Sequence, residues 1–170
     1  QDVPAFVKTF LTNPIVAGGT TTLEFTITNT STTEALTDLT FTDPIAEFLS
    51  GTTITVLPAF GSCGTGSIFF NTTVAGNLVF QMTGGNIPAG GSCTFSMDLL
   101  IPSETPTGDY TNTTTALSGL LGGASIQADP ATDDLTILAV PRLSKSFTND
   151  PVNAGEIVNL EFTIIYDQGA

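Results

Sequence analysis

A lysine near the start of the chain lies in an apolar strand, where its ammonium group requires a partner. Lys8 shares one face of the first strand with Phe6 and Phe10, since a two-residue alternation is typical of a half-buried β-strand. A buried ammonium group must be paired or lose its charge. Once neutral, such a lysine can act as a nucleophile. The alternative is a lysine that snorkels at the edge of a sheet.

An acid and an amide are candidates to meet this lysine. Asp43 shares a strand face with Leu39 and Phe41 and is inward by the same alternation. Asn112 lies in a late, threonine-rich strand. An ion pair between Lys8 and Asp43 is the simplest arrangement that satisfies both charges.

The two cysteines favour a disulfide. Cys63 and Cys93 both lie in Gly/Ser turn contexts, and the chain has no histidine to complete a zinc site with them. We therefore expect one disulfide bond and an oxidising, extracellular or cell-surface location. Two buried free thiols are the alternative.

The acidic loop around residues 129–134 is a weak candidate for a cation. Asp129, Asp133 and Asp134 could bind Ca²⁺ through oxygen atoms, but the order of acids does not match a calcium-loop motif, which favours a solvated turn. No other cofactor is expected. Without histidine, and without a Gly-rich phosphate loop that contains a lysine, we expect no enzyme activity.

Short strands separated by turns dominate the chain. Alternating side chains and Gly, Pro or Asn boundaries predict an all-β, Ig-like β-sandwich, with a barrel or jelly roll as the alternative. The expected strands are Ala5–Phe10, Thr22–Thr28, Leu36–Asp43, Thr53–Leu57, Ser67–Asn71, Asn77–Met82, Cys93–Leu99, Tyr110–Leu117 and about Asp134–Val140. Ser118–Gly123 is expected to be a turn.

The opening of the chain returns near its end. Residues 4–27 align without gaps on residues 141–164 at a constant offset of 137, and the run Leu23–Ile27 recurs unchanged as Leu160–Ile164. This predicts one complete repeat, residues 1–140, followed by the first strands of a second, residues 141–170. Those last strands could be truncated, continue into a longer array, or be donated to another subunit.

The charge of the chain excludes several partners. Three basic residues against 16 acidic ones give a net charge of −13, which repels nucleic acid and anionic lipid. No apolar run is long enough to span a membrane, so no membrane insertion is expected in these residues. Neighbouring repeats of the same chain, or identical subunits, are the expected partners.

The order of short motifs resembles a known kind of domain. The pattern Lys-Thr-Phe, Asn-Pro, Ala-Gly and Leu-Glu-Phe-Thr-Ile-Thr-Asn precedes Leu-Thr-Phe-Thr-Asp, Ile-Pro-Ala-Gly-Gly-Ser-Cys-Thr-Phe and Gly-Asp-Tyr-Thr-Asn-Thr. It resembles the Ig-like tandem repeats of large prokaryotic cell-surface proteins. This resemblance implies a structural module of an adhesin-like stalk or filament. An adhesin module that binds a carbohydrate or protein is the runner-up, and a fibre subunit assembled by strand donation is a third hypothesis.

A second resemblance gives the lysine a chemical role. A lysine in the first strand, an aspartate in a middle strand and an asparagine in a late strand are similar to pilin and collagen-adhesin domains with an internal isopeptide bond. The resemblance implies that Lys8 is the nucleophile, Asn112 the amide acceptor and Asp43 the proton shuttle. A further strand follows Asn112 and could separate it from the first strand, which makes Asp133 or Asp134 rival acceptors.

Overall fold

The computed structural model describes residues 2–166 and is almost entirely β-structure. The strands are β1 (Ala5–Phe10), β2 (Ile15–Val16), β3 (Thr20–Thr28), β4 (Leu36–Asp43), β5 (Thr53–Val56), β6 (Ile68–Val74), β7 (Asn77–Ile87), β8 (Ser92–Leu100), β9 (Gly108–Thr113), β10 (Leu117–Leu121), β11 (Ala124–Ala128), β12 (Thr132–Leu138), β13 (Arg142–Phe147) and β14 (Leu160–Ile165). One short helix, α1 (Ile45–Phe48), follows β4. The expected all-β sandwich is confirmed.

Three sheets build the body of the sandwich. The first has the order β1–β3–β8–β5, the second β11–β10–β4–β7–β6, and the third β2–β12–β9. The alternating strands face their apolar side chains inward, as in β3, where Leu23, Phe25 and Ile27 are buried. The first two sheets meet through these side chains.

Phenylalanine rings form the centre of the core. Phe25 of the first sheet stacks on Phe80 and packs against Phe41, both from the second sheet, with ring centroids 5.8 and 5.2 Å apart. Phe95 packs on Phe69 at 4.7 Å across the same interface. Burial of such large apolar rings is the main favourable term in folding.

The last two strands form a separate hairpin. β13 pairs with β14 antiparallel and with no other strand among residues 2–166. All the side chains of both strands are exposed. Residues 167–170, which belong to the predicted second repeat, lie outside the described residues.

The structure differs from the sequence predictions around residues 114–128. The expected single strand Tyr110–Leu117 is two strands in two sheets, and the expected turn at Ser118–Gly123 contains most of β10. Only Gly122 and Gly123, both with positive φ, make the turn into β11.

A search of residues 2–166 for a helix with the length and apolar character of a membrane span finds none.

Candidate functional site

The lysine, the acid and the amide meet inside the sandwich. Lys8 Nζ donates to Asp43 Oδ2 at 2.7 Å and lies against Asn112 Oδ1. Asn112 Nδ2 donates to Asp43 Oδ1, also at 2.7 Å. Lys8 is 3% exposed and the other two residues are 0% exposed. The carboxyl group of Asp43 therefore contacts both nitrogen atoms, one with each oxygen.

Each member of this centre comes from a different sheet. Lys8 lies in β1 of the first sheet, Asp43 at the end of β4 in the second, and Asn112 in β9 of the third. Lys8 and Asn112 are 104 residues apart in sequence. The centre thus lies where all three sheets meet, at the end of the aromatic core.

A bulge in β4 directs Asp43 inward. The register with β7 shifts between Leu36 and Leu39, and again between Leu39 and Phe41. Asp38, within the first shift, has a φ of 53°, a left-handed conformation that one class of β-bulge contains. After the bulge, Leu39, Phe41 and Asp43 alternate on the buried face. Without the bulge, strict alternation would place either Leu36 or the set Leu39, Phe41 and Asp43 on the outer face of the sheet.

Two threonines connect the acid to the amide along the backbone. Thr42 N–H donates to Thr115 Oγ1 at 2.9 Å, and Thr115 N–H donates to the Thr42 carbonyl at 2.8 Å. The chain leaves the third sheet after Thr113 and joins the second at this point. Asp43 and Asn112 are therefore held close by the residues next to them, a contact that sequence reasoning missed.

The two rival acceptors face other groups. Asp133 lies directly opposite Asn112 in the β9–β12 pair, and its Oδ2 accepts the Phe10 N–H at 2.7 Å. Asp134 accepts a hydrogen bond from Thr111 Oγ1 on the outer face. The strand β12 does follow Asn112 and contacts β1, yet Lys8 still reaches Asn112.

Burial controls the charge of Lys8. Removal from water lowers the pKa of its ammonium group below the ordinary value, while Asp43 and, more weakly, Asp133 oppose this shift. The Phe25 ring lies 5.6 Å from Nζ and excludes water from that side. A neutral amine beside a carbonyl carbon is a nucleophile, so this arrangement is suited to acyl transfer between two side chains.

The cysteines form a second centre. Cys63, in the loop between β5 and β6, is joined to Cys93 of β8 in a disulfide that spans 30 residues, with 5.1 Å between the Cα atoms. Cys63 N–H donates to Ser67 Oγ, and the Cys63 carbonyl accepts the Asn86 N–H. The disulfide therefore fastens a hydrogen-bonded loop to the first sheet.

The candidate calcium ligands are spread over the end of the β9–β12 pair. Asp133 and Asp134 belong to β12, where their carboxylates accept the hydrogen bonds described above, and Asp129 precedes the strand. Within residues 2–166, no group of three or more His, Cys, Asp or Glu residues is arranged to hold a metal ion. Calcium binding stays a prediction.

Comparison with known proteins identifies a family and a fold. Residues 4–137 match the family model described as "Domain of unknown function (DUF7933)". No curated protein sequence shows significant similarity to the chain. The solved structures described below share its fold at low sequence identity.

Three of these structures illustrate the likeness. A cohesin module from a Clostridium perfringens family 33 glycoside hydrolase is 12% identical, with a TM-score of 0.56, over 81% of this chain and 98% of that one. A variant of the major pilin subunit BcpA of Bacillus cereus is 9% identical, with a TM-score of 0.59, over 96% of this chain and 55% of that one. The major pilin SpaD of Corynebacterium diphtheriae is 11% identical, with a TM-score of 0.53, over 90% and 38%. The chain thus covers about half or less of each pilin, and at this identity the likeness describes the fold alone.

Proposed function

This chain belongs to the DUF7933 family, and we propose that it is a structural module of an extracellular stalk or fibre, locked internally by an isopeptide bond between Lys8 and Asn112. The observation that carries this proposal is the buried contact of Lys8 Nζ with Asn112 Oδ1 while Asp43 bridges both side chains. The pilin and cohesin folds support the same class of module.

The reaction needs only the three side chains. Lys8 first transfers a proton to Asp43, which leaves a neutral amine and a carboxylic acid. The amine nitrogen then bonds to the Asn112 carboxamide carbon. Asp43 gives a proton to Asn112 Nδ2 and takes one from Lys8 Nζ, the carbon–nitrogen bond to Nδ2 breaks, and ammonia leaves. One amine and one primary amide become one secondary amide and one ammonia molecule.

The position of Asp43 supports this role. Its Oδ2 contacts the nitrogen that must lose protons and its Oδ1 contacts the nitrogen that must gain one. A single carboxyl group can therefore act as general base and general acid in the same step. The buried setting excludes water that would compete as a nucleophile or screen the charges.

A simple ion pair is the competing explanation of the same geometry. Replacing such a buried pair by apolar groups is often neutral or stabilising, so the pair by itself is weak evidence of a structural purpose. The buried carboxamide of Asn112 is a feature that a Lys8–Asp43 ion pair does not require. Asn112 is fully buried, with both of its amide atoms directed at the pair.

The bond would suit a module that bears load. It would join the first sheet to the third across 104 residues of chain, and the disulfide closes a smaller loop nested within that span. The disulfide supports an oxidising location outside the cytoplasm. The net charge of −13 supports a soluble, mutually repelling surface.

Intact mass of the denatured full chain, measured with and without reductant, tests the crosslink. We expect a mass lower by one ammonia molecule that reductant does not restore, and a proteolytic fragment that joins the Lys8 and Asn112 peptides. Lys8→Arg and Asn112→Ala should each have the full mass. The matched control is Lys145→Arg in the exposed hairpin, which should keep the deficit.

Other outcomes of the same measurement identify the alternatives. A deficit of one water molecule would assign the acceptor to an aspartate, such as Asp133. A fully reduced, folded protein with no deficit would overturn the crosslink and leave Lys8 and Asp43 as an ion pair.

A further inference from the structure

The C-terminal hairpin repeats the first hairpin in pairing as well as in sequence. Lys8 is opposite Phe25 in the β1–β3 pair, and Lys145 is opposite Phe162 in the β13–β14 pair. All six pairs of β13–β14 correspond to pairs of β1–β3 at the same offset of 137 residues.

The hydrogen bonds beyond the strands also correspond. Leu11 N–H donates to the Thr22 carbonyl at 2.9 Å, and Thr148 N–H donates to the Asn159 carbonyl at 3.1 Å. These residues stand at matching places in the two copies.

The second copy retains the residues that are buried in the first. Eight side chains of residues 4–27 are buried, and six of them recur unchanged, whereas only five of the other sixteen positions do. The six recurring residues are Pro141, Lys145, Phe147, Leu160, Phe162 and Ile164. The remaining two buried positions change from Ile15 to Val152 and from Thr21 to Val158, so no buried position becomes more polar.

The retained side chains are nevertheless uncovered. Phe162 is 61% and Ile164 73% exposed, whereas their counterparts Phe25 and Ile27 are each 0% exposed. None of residues 2–166 packs over this face of the hairpin. A contiguous apolar face of this kind marks an interaction surface.

Lys145 lies in the middle of this face. It alternates with Leu143 and Phe147, which are 68% and 55% exposed, and only three residues of the whole chain are basic. Inward positions are retained in six of eight cases and the other positions in only five of sixteen, so Lys145 belongs to the strongly retained inward set. Its recurrence indicates that the body which covers the hairpin needs an amine there.

We infer that Lys145 is the amine of a second crosslink, and that the occupant of the β13–β14 face is a sandwich body with a buried carboxyl group and a buried carboxamide, placed as Asp43 and Asn112 are in the first. This inference rests on the proposed function. The bond would form as before, between Lys145 Nζ and the carboxamide carbon, with loss of ammonia. Successive units would then be locked by the same reaction.

The first domain can test whether the sequence of the second hairpin supports the crosslink inside a sandwich that contains Asp43 and Asn112. In the full chain, residues 4–27 are replaced by a copy of residues 141–164, which have the same length, so that the counterpart of Lys145 stands at position 8. We expect a cooperatively folded protein with the disulfide formed, a mass lower by one ammonia molecule, and a fragment that joins the transplanted lysine to Asn112. The same transplant with arginine in place of that lysine should have the full mass.

A smaller variant covers the case in which the transplant does not fold. Phe6→Leu/Ile15→Val/Thr21→Val transfers only the inward residues that differ, while Lys8 and the outer face stay unchanged. We expect it to fold and to lose ammonia as completely as wild type. If it folds and keeps the full mass, the inner face of the second hairpin does not fit a body of this type, and the inference is wrong.

The outcomes separate this inference from the proposed function. A deficit in wild type with none in the folded transplant would overturn the inference alone, whereas no deficit in either would overturn the proposed function. Sedimentation of wild type at increasing concentration tests a second copy of the chain as occupant. If wild type forms dimers and Ile164→Lys abolishes them, the face binds a second copy of the chain. The inference that a sandwich body covers it would then be wrong.

Discussion

Lys8 Nζ and Asp43 Oδ2 lie 2.7 Å apart with both side chains fully removed from water. Two groups of opposite charge at this distance attract strongly, but their removal from water costs several kcal/mol per ion. Conversion of the lysine into an amide would remove both charges from the core. Removal of the Asp43 carboxyl group is therefore the most direct way to distinguish a reactive centre from a static ion pair.

Substitution of Asp43 should abolish the crosslink without touching either bonded residue. In Asp43→Ala, Lys8 keeps its amine and Asn112 its amide, yet no group remains to exchange protons between them. We expect the full mass after reduction and, relative to uncrosslinked Asn112→Ala, in which the Lys8–Asp43 pair persists, a loss of about 3–5 kcal/mol in the free energy of unfolding, as when one member of a buried pair is removed. Intact mass and urea unfolding measure the two effects.

Asp43→Asn serves as the control for shape. It preserves the volume of the side chain but cannot act as an acid, so it should also have the full mass. An ammonia deficit in either folded variant would show that Asp43 is not the proton shuttle.

The lowered pKa of Lys8 predicts a pH dependence that only the uncrosslinked protein should have. Asn112→Ala blocks the bond but leaves burial and Asp43, the two largest influences on this pKa, in place. The folded state then binds fewer protons than the unfolded state between the lowered pKa and the ordinary pKa of lysine. Its free energy of unfolding should therefore rise as pH rises through that window.

A double variant isolates this titration. Lys8→Met/Asn112→Ala lacks the amine and should not show the rise, nor should crosslinked wild type, whose amide nitrogen does not titrate. Urea unfolding at a series of pH values provides the comparison. Equal slopes in the single and double variants would contradict the prediction.

Asp133 should act as a positioning residue for the first strand. Its carboxylate accepts the Phe10 N–H at 2.7 Å, two residues from Lys8. Asp133→Ala leaves this donor without a partner, which should cost about 1–3 kcal/mol, and should slow the loss of ammonia because β1 is held less firmly against β12. Time-resolved intact mass after refolding measures the rate.

Two variants distinguish position from charge. Asp133→Asn retains an acceptor and removes a charge that raises the pKa of Lys8, so it should react at least as fast as wild type. Asp134→Ala, which changes the exposed neighbour bonded to Thr111, should leave the rate unchanged. Equal rates in wild type and Asp133→Ala would exclude the positioning role.

The disulfide and the proposed crosslink should be independent. Cys63→Ala/Cys93→Ala opens a loop of 30 residues, which should lower the free energy of unfolding by about 3–4 kcal/mol on the chain-entropy model. The ammonia deficit should persist, since the hydrogen bonds that hold Lys8, Asp43 and Asn112 together involve neither cysteine. A deficit that disappears in the folded double variant would show that the two centres are coupled.

Alternation predicted the inward faces but not the meeting of residues from different strands. Lys8 and Asp43 could be assigned to buried faces because their strands have clear two-residue periods. The proximity of Asn112 depends on strand pairing across 104 residues, and the resemblance to isopeptide-forming domains was the only signal for it. Thr115, which ties this region to Thr42, has no distinguishing mark in a threonine-rich stretch.

Glycine explains the largest error in the strand prediction. Gly119 lies inside β10, where it pairs with Ile126, and the Cβ of any larger residue there would lie 2.7 Å from a Leu39 methyl group and 2.9 Å from the Thr37 carbonyl oxygen. The residue is needed for close packing in a strand, although glycine in sequence favours a turn.

Force applied to the ends of the domain provides a test of the load-bearing role. If the crosslink forms, tension from the N-terminus passes from Lys8 directly to Asn112, and the chain between them, a separation of 104 residues, stays shielded from force. The disulfide already closes the 30-residue span from Cys63 to Cys93 in both proteins, so at about 3.6 Å per extended residue the crosslink removes about 270 Å from the length released on unfolding. Single-molecule pulling of the full chain, with handles at residues 2 and 140, should show this shortening in wild type and the longer extension in Lys8→Arg.

The remaining extensible segment, residues 113–138, provides an internal control. It should unfold alike in both proteins, because it lies outside the closed loop. Equal extensions in the two proteins would mean that β1 carries no covalent tether to β9, and that the fold resists force through hydrogen bonds and the disulfide alone.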